Sequence, residues 1–270
     1  MRSIKSNLSS WIISAVTYLT LALICVFLSP LGIPEAWADY AGGLGLISVP
    51  PEVALTNFFA IVISLTIHEF AHAWVADRMG DPTPARYDRL NLNPITIMKA
   101  HPFGALVIPL IGSFNGVLFG FAATPVNPSL VHRKYTMRQA ERWISLAGPI
   151  SNVLLALISS VVLATLVLTL SKTQMDTTFK PLVALAYALL QTNVILALFN
   201  MIPVAPLDGF TVLQSSIPRH LSHIIDFIHQ YQNMLLIFVF IFGGRLLSPI
   251  IIWVSNSLLR GALMLLGIFV

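Results

Sequence analysis

Charge is what this sequence has least of. Lys, Arg, Asp and Glu make up 10% of its 270 residues, against about 25% in a soluble globular domain. With 56% of residues hydrophobic, there is too little polar surface to clothe a water-exposed fold, which argues against a soluble enzyme. Cysteine is nearly absent as well. The single Cys25 excludes an intramolecular disulfide and reads as a small buried hydrophobe. Repeats, low-complexity tracts and long linkers are missing too. The net charge of +4 would suggest a nucleic-acid partner in a polar chain; on this apolar background the excess belongs to the cytoplasmic loops of a membrane protein, and no nucleic-acid partner is expected.

What is present is a series of apolar stretches, at residues 11–28, 53–76, 104–123, 143–170, 181–200 and from 231 onward. Each reaches the length of about 20 residues that a bilayer crossing needs. The expected fold is an all-α polytopic membrane protein of about five to six transmembrane helices, set in the lipid bilayer of the cell membrane. The first stretch has a rival reading as a signal peptide, because Arg2 and Lys5 precede it and Ala36-Trp37-Ala38 resembles a cleavage site. Orientation follows from the basic residues. Arg2 and Lys5 hold the N-terminus inside, whereas residues 31–52 carry only Glu35, Asp39 and Glu52 and read as outside. The loops with Arg78, Arg86, Arg89 and Lys99, and with Arg133, Lys134, Arg138 and Arg142, both read as cytoplasmic. Stretch 104–123 between them therefore cannot simply cross. Its Gly104, Pro109, Gly112, Gly116 and Gly120 suit a poor helix, so it is expected to be a re-entrant or hairpin element beside a cavity.

Inside the second stretch stands His68-Glu69-Phe70-Ala71-His72, the pattern of zinc hydrolases. On a helix, residues i and i+4 project from one face, so His68 and His72 can bind one ion while Glu69 reaches its water as a general base. Two histidines leave a catalytic zinc site short of a third protein ligand. Asp208 is the candidate, in Asn200-Met201-Ile202-Pro203-Val204-Ala205-Pro206-Leu207-Asp208-Gly209, where Pro203 and Pro206 break an arriving span. That segment also reads as an ordinary Pro-Gly turn; the nearby histidine motif is what favours a ligand. Broken helices in membranes line binding sites, and Asn200 offers an amide to a substrate carbonyl or oxyanion.

With these residues together, the sequence resembles the site-2 protease family of intramembrane zinc metalloproteases, from Val53 to about Leu213. The family pairs the His-Glu-x-x-His helix with an Asn-x-x-Pro-x-x-Pro-x-Asp-Gly segment. Leu92-Asn93-Pro94, Pro125-Val126-Asn127-Pro128 and Ala147-Gly148-Pro149-Ile150-Ser151-Asn152 add similarity to the compact prokaryotic branch without a PDZ domain. The resemblance implies one zinc per chain on His68, His72 and Asp208, Glu69 as catalytic base, Asn152 and Asn200 as polar active-site residues, and a transmembrane protein as substrate. With the apolar stretches and loop charges on either side of it, the expected division is residues 1–52 as an N-terminal transmembrane helix and external loop, 53–213 as the catalytic metalloprotease membrane core, and 214–270 as a cytoplasmic amphipathic segment with C-terminal transmembrane or interfacial helices. Two departures stand out: Gly120-Phe121-Ala122-Ala123-Thr124-Pro125 lacks the Trp and Lys expected before Pro-Val, and Phe210 stands where a second glycine often follows Asp-Gly.

Two other functions compete. A metal or proton transporter also uses intramembrane His, Asp and Glu, but needs them spaced along a route, whereas here they cluster at one depth. A catalytically silent membrane-binding homologue is opposed by the intact Glu69. Among weaker signals, His220, His223 and His229 fall in a segment read as an interfacial amphipathic helix. The basic residues 133–142 are expected to contact anionic lipid. Arg245 and Arg260 interrupt the last apolar stretch, which is read as one span plus a partly surface-lying helix.

Overall fold

The computed structural model of the chain describes residues 49–114 and 119–267. The expected first span and its signal-peptide alternative lie outside the described residues. Those described are helical, with no strand among them. In chain order the helices are α1 (Pro51–Met79), α2 (Thr83–Arg86), α3 (Pro94–Ala100), a π-helical turn (Phe103–Val107) running into α4 (Ile108–Phe114), α5 (Met137–Thr169), α6 (Lys172–Asp176), α7 (Lys180–Asn200), α8 (Asp208–Ser216), α9 (Ser222–Gln230) and α10 (Gln232–Gly267). Four of them, α1, α5, α7 and α10, are long and apolar enough to cross a membrane, so the chain is a multi-pass membrane protein in its build.

Local chemistry sets where these helices begin and end. Pro51 opens α1, and Gly80 at φ 103° closes it, a left-handed position that costs glycine nothing. The Asp81 N–H then turns back to the Ala76 carbonyl at 3.0 Å. Thr136 and Gln139 cap α5 reciprocally, each side chain bonding the other's backbone. α7 stops at Asn200, and helix resumes only at Asp208. The intervening Pro203 and Pro206 lack the N–H a helix interior needs, and the Ala205–Pro206 bond is cis.

The core is a three-helix contact of α1, α5 and α7, with α8 and α10 packed on α5. Small residues let the backbones approach. Ala76, Ala140 and Ile144 join α1 to α5, and Ala156, Ala186, Leu190 and Val194 join α5 to α7. The outward faces carry large apolar side chains, among them Phe59, Ile63, Leu154, Ile158, Phe238 and Trp253. A surface of that kind suits hydrocarbon, not water.

Two features differ from expectation or refine it. The C-terminal stretch, expected as one span plus a partly surface-lying helix, is one continuous helix of 36 residues that carries both Arg245 and Arg260. Pro249 lies inside it without ending it. The segment from 104 is a short apolar helix ending at Phe114, too short to cross about 30 Å of hydrocarbon. Near its start, the Gly104 carbonyl accepts from the Phe121 N–H at 2.8 Å.

Candidate metal centre

Helix α1 delivers the two histidines from one face, one turn apart, as the i, i+4 spacing requires. His68 Nε2 lies 3.0 Å from His72 Nε2. Asp208, the first residue of α8, brings its Oδ2 to 3.2 Å from His68 Nε2 and 3.3 Å from His72 Nε2. These three side chains form a group that could hold a metal ion. Glu69 sits beside them, and all of His68, Glu69 and His72 are buried.

The donor set fits zinc on three counts. The His72 Nδ1–H donates to the Ile144 carbonyl at 2.6 Å, which fixes the tautomer whose Nε2 lone pair faces the group; metal-ligating histidines are held in this way. The Asp208 Oδ2, though buried, has no hydrogen-bond partner, a costly state for a carboxylate oxygen unless a cation meets it. Tetrahedral zinc with ligand bonds of about 2.0–2.2 Å spaces its ligand atoms by about 3.3 Å, close to what these three atoms already show.

Helix α5 shapes the floor. Ile144, Gly148 and Asn152 follow at one-turn intervals on the face toward α1. A Cβ at Gly148 would lie 2.5 Å from His68 Cε1 and 2.6 Å from His68 Nε2, and closer still to His72 Nε2. Only glycine lets α5 come this near. Asn152 is fully buried, and its Nδ2 has no partner. Asn200 directs its Nδ2 to its own helix, at 3.0 Å from the Leu196 carbonyl. Neither asparagine belongs to the three-residue group.

The far end of α8 is tied down by two of the arginines expected to face lipid. Arg138 Nη2 donates to the Ile217 carbonyl at 2.7 Å and to Gln214 at 3.3 Å, and Arg142 Nη2 to Ser215 at 2.8 Å. Cations on the last carbonyls satisfy that helix end and its dipole, so both are committed to orienting the helix that presents Asp208. Phe210, the departure beside Asp208, is buried with Ala205 and Ile225 of α9, with the His229 ring edge-on at 4.7 Å.

Beside Glu69 runs the extended segment 119–127, where the Thr124 hydroxyl lies 2.8 Å from Glu69 Oε2. Nothing in the sequence pointed to Thr124. Arg89 is also buried, with an unpartnered Nη1; burial pulls its pKa below the usual value, against the charges of Glu69 and Asp88. Burial likewise holds the His101 imidazole below its usual pKa, although its bond to the Ala123 carbonyl opposes this.

Comparison with known proteins places the sequence in a family. Peptidase family M50 matches residues 56–243, which spans both the histidine helix and Asp208. The chain belongs to peptidase family M50, the site-2 protease family. The resemblance noted in the motifs therefore holds. The M50 chain is 30% identical over 224 residues to "Putative zinc metalloprotease YwhC" of Bacillus subtilis, covering 79% of this chain and 92% of that protein. It is 27% identical over 225 residues to "Putative zinc metalloprotease Rip2" of Mycobacterium tuberculosis, covering 80% and 79%. No solved structure matches the chain significantly.

Proposed function

We propose that this M50 protein is a zinc-dependent intramembrane endopeptidase that hydrolyses peptide bonds within or near the transmembrane segments of membrane-protein substrates. The observation that carries the proposal is the convergence of His68, His72 and Asp208 beside Glu69, within and against a helix able to span a membrane. His68, His72 and Asp208 would hold one zinc. Zinc bound there supplies Lewis acidity to the scissile carbonyl and to water. The family, and the names of the two relatives, support this metal.

The rest of the chemistry falls to the chain. The Glu69 carboxylate accepts a proton from the attacking water and passes it to the leaving amine nitrogen. Ile144 and Gly148 hold the imidazoles in register, and Asn200 and Asn152 offer polar groups along the cleft. The Asn200–Asp208 break and the short helix before Phe114 serve as the broken helix and the re-entrant element, which admit water to an otherwise apolar bundle. With the basic loops read as cytoplasmic, this end of α1 lies nearer the cytoplasm, and the core of residues 53–213 acts as the catalytic unit. α9, whose Ile224 and Phe227 are exposed, rests on the bilayer surface. A substrate helix must unwind to expose its carbonyl, lying extended beside the approach to Trp143 and the Asn200 loop.

The test is metal content followed by cleavage. Purified chain dialysed against zinc is expected to retain about one ion, lost in His68→Ala and Asp208→Ala and kept in Glu69→Gln. The same protein, reconstituted with fluorescent single-pass test helices carrying a central Gly-Pro break, is expected to cut them, whereas Glu69→Gln leaves them intact. A folded wild type that retains no zinc, or a zinc-loaded wild type that spares every such helix, sinks the proposal.

A further inference from the structure

Among the described residues, the Glu69 carboxylate has one hydrogen-bond donor, the hydroxyl of Thr124. Thr124 is not in α1. It comes from the extended segment 119–127, some 55 residues on in the chain. From this we infer that Thr124 is a positioning residue for the proposed proton acceptor, holding Glu69 Oε2 so that Oε1 is left for the attacking water; the inference rests on the metallopeptidase assignment of the same site.

The hydroxyl has one proton and two acceptors in reach, Glu69 Oε2 at 2.8 Å and the Glu69 backbone carbonyl at 3.0 Å. The carbonyl belongs to a helix interior, where the amide four residues on already serves it. The carboxylate carries the charge, and O–H bonds to a charged acceptor are the shorter and stronger. The proton therefore goes to Oε2. Thr124 keeps this proton throughout the reaction: the bond that breaks is the water O–H, its proton goes to Glu69 Oε1, and from there to the leaving amine.

Positioning also demands that the donor itself be held, and Thr124 is anchored on both sides. Before it, the Phe121 N–H donates to the Gly104 carbonyl at 2.8 Å and the His101 Nε2–H to the Ala123 carbonyl at 2.8 Å. After it, the Asn127 N–H donates to Asp81 Oδ2 at 2.5 Å. Asp81 is fully buried and also accepts from the Thr83 N–H at 2.9 Å, which ties the segment to the turn that ends α1. Because these anchors do not involve the Thr124 side chain, exchanging it for the isosteric Val leaves the segment in place and deletes only the hydrogen bond. A misplaced acid–base group can cost about 100-fold in rate.

The test uses the full chain loaded with cobalt, whose visible absorption reports the surroundings of the bound water, and compares wild type, Thr124→Val, Thr124→Ser and Glu69→Gln. The expected result is about one cobalt in each, bands displaced in Glu69→Gln, displaced in the same sense in Thr124→Val, and unchanged in Thr124→Ser. On a test helix that wild type cuts, Thr124→Val is expected to lower kcat by about 10- to 100-fold at unchanged KM, with Thr124→Ser restoring it. Wild-type bands in Thr124→Val overturn the inference and leave the metallopeptidase assignment standing. Loss of cobalt from Thr124→Val makes the residue a structural one and overturns it too, as do unmoved bands in Glu69→Gln. A wild type that binds neither cobalt nor zinc removes both proposals together.

Discussion

Replacing Gly148 with alanine sets two effects against each other, and the structure says which one wins. In an isolated helix the change is favourable by about 1 kcal/mol, since alanine loses less backbone entropy. At this position on α5, the added methyl would stand 2.5 Å from His68 Cε1, where ordinary contacts begin near 3.4 Å. The imidazole must therefore retreat by about 1 Å, twice the roughly 0.5 Å tolerance of a working site. His72 cannot follow, because its Nδ1–H is bonded to the Ile144 carbonyl one turn earlier on the same helix. The overlap wins: overpacking costs about 1–3 kcal/mol, so the expected outcome is a zinc affinity lowered by about 100-fold, with a metal-free melting temperature below that of wild type. Chelator competition on detergent-solubilised protein gives the affinity, and thermal unfolding without metal gives the stability. Wild-type zinc affinity in Gly148→Ala would refute the claim that α5 is pressed against the ligands.

Three further outcomes follow from contacts away from the metal group. Asp81→Ala removes two hydrogen bonds to a buried carboxylate, each worth about 1.5–3 kcal/mol; thermal unfolding should show a loss of several degrees, and no loss would mean that the turn after α1 is held by other means. Arg142→Met frees the Ser215 carbonyl at the end of α8 and is expected to weaken zinc binding severalfold through Asp208; chelator competition checks it, and unchanged affinity would show that α8 holds its place without that arginine. His101, half-buried with its pKa pushed down by burial, binds protons less readily folded than unfolded. Stability should therefore be full above about pH 7, fall as pH drops through the unfolded value of 6.5, and level off below the folded value. Melting temperatures between pH 5 and 8 should lose that part of their slope in His101→Gln.

Membrane residence and the core of the metal group were legible in the residues themselves, for local reasons. Scarce charge and long apolar runs leave few folds other than helices in lipid, and the His68–His72 spacing places two imidazoles on one helix face whatever surrounds them. The Asn-Pro-Pro-Asp-Gly segment announced a break because proline cannot continue a helix. Asp208 could be named on ligand count, yet only packing decides that α8 swings its first residue to within 3.3 Å of both histidines. Basic residues illustrate the limit. Arg138 and Arg142 are read from the loop count as lipid contacts, and no loop count shows that they also hold the carbonyls of a helix more than 70 positions away. Arg245 and Arg260 suggested an interrupted tail, but long side chains can reach an interface from an unbroken helix, and α10 is continuous. Thr124 was invisible because its partner is 55 residues distant and no periodicity links an extended segment to a helix. Sequence by itself settled what is local, namely which stretches are apolar and which face of α1 carries histidines; tertiary structure alone decided the approach of Asp208 to those histidines, the glycine contact beneath the imidazoles and the hydroxyl on Glu69, because each of these is a meeting of segments whose separation along the chain holds no trace of their distance in space.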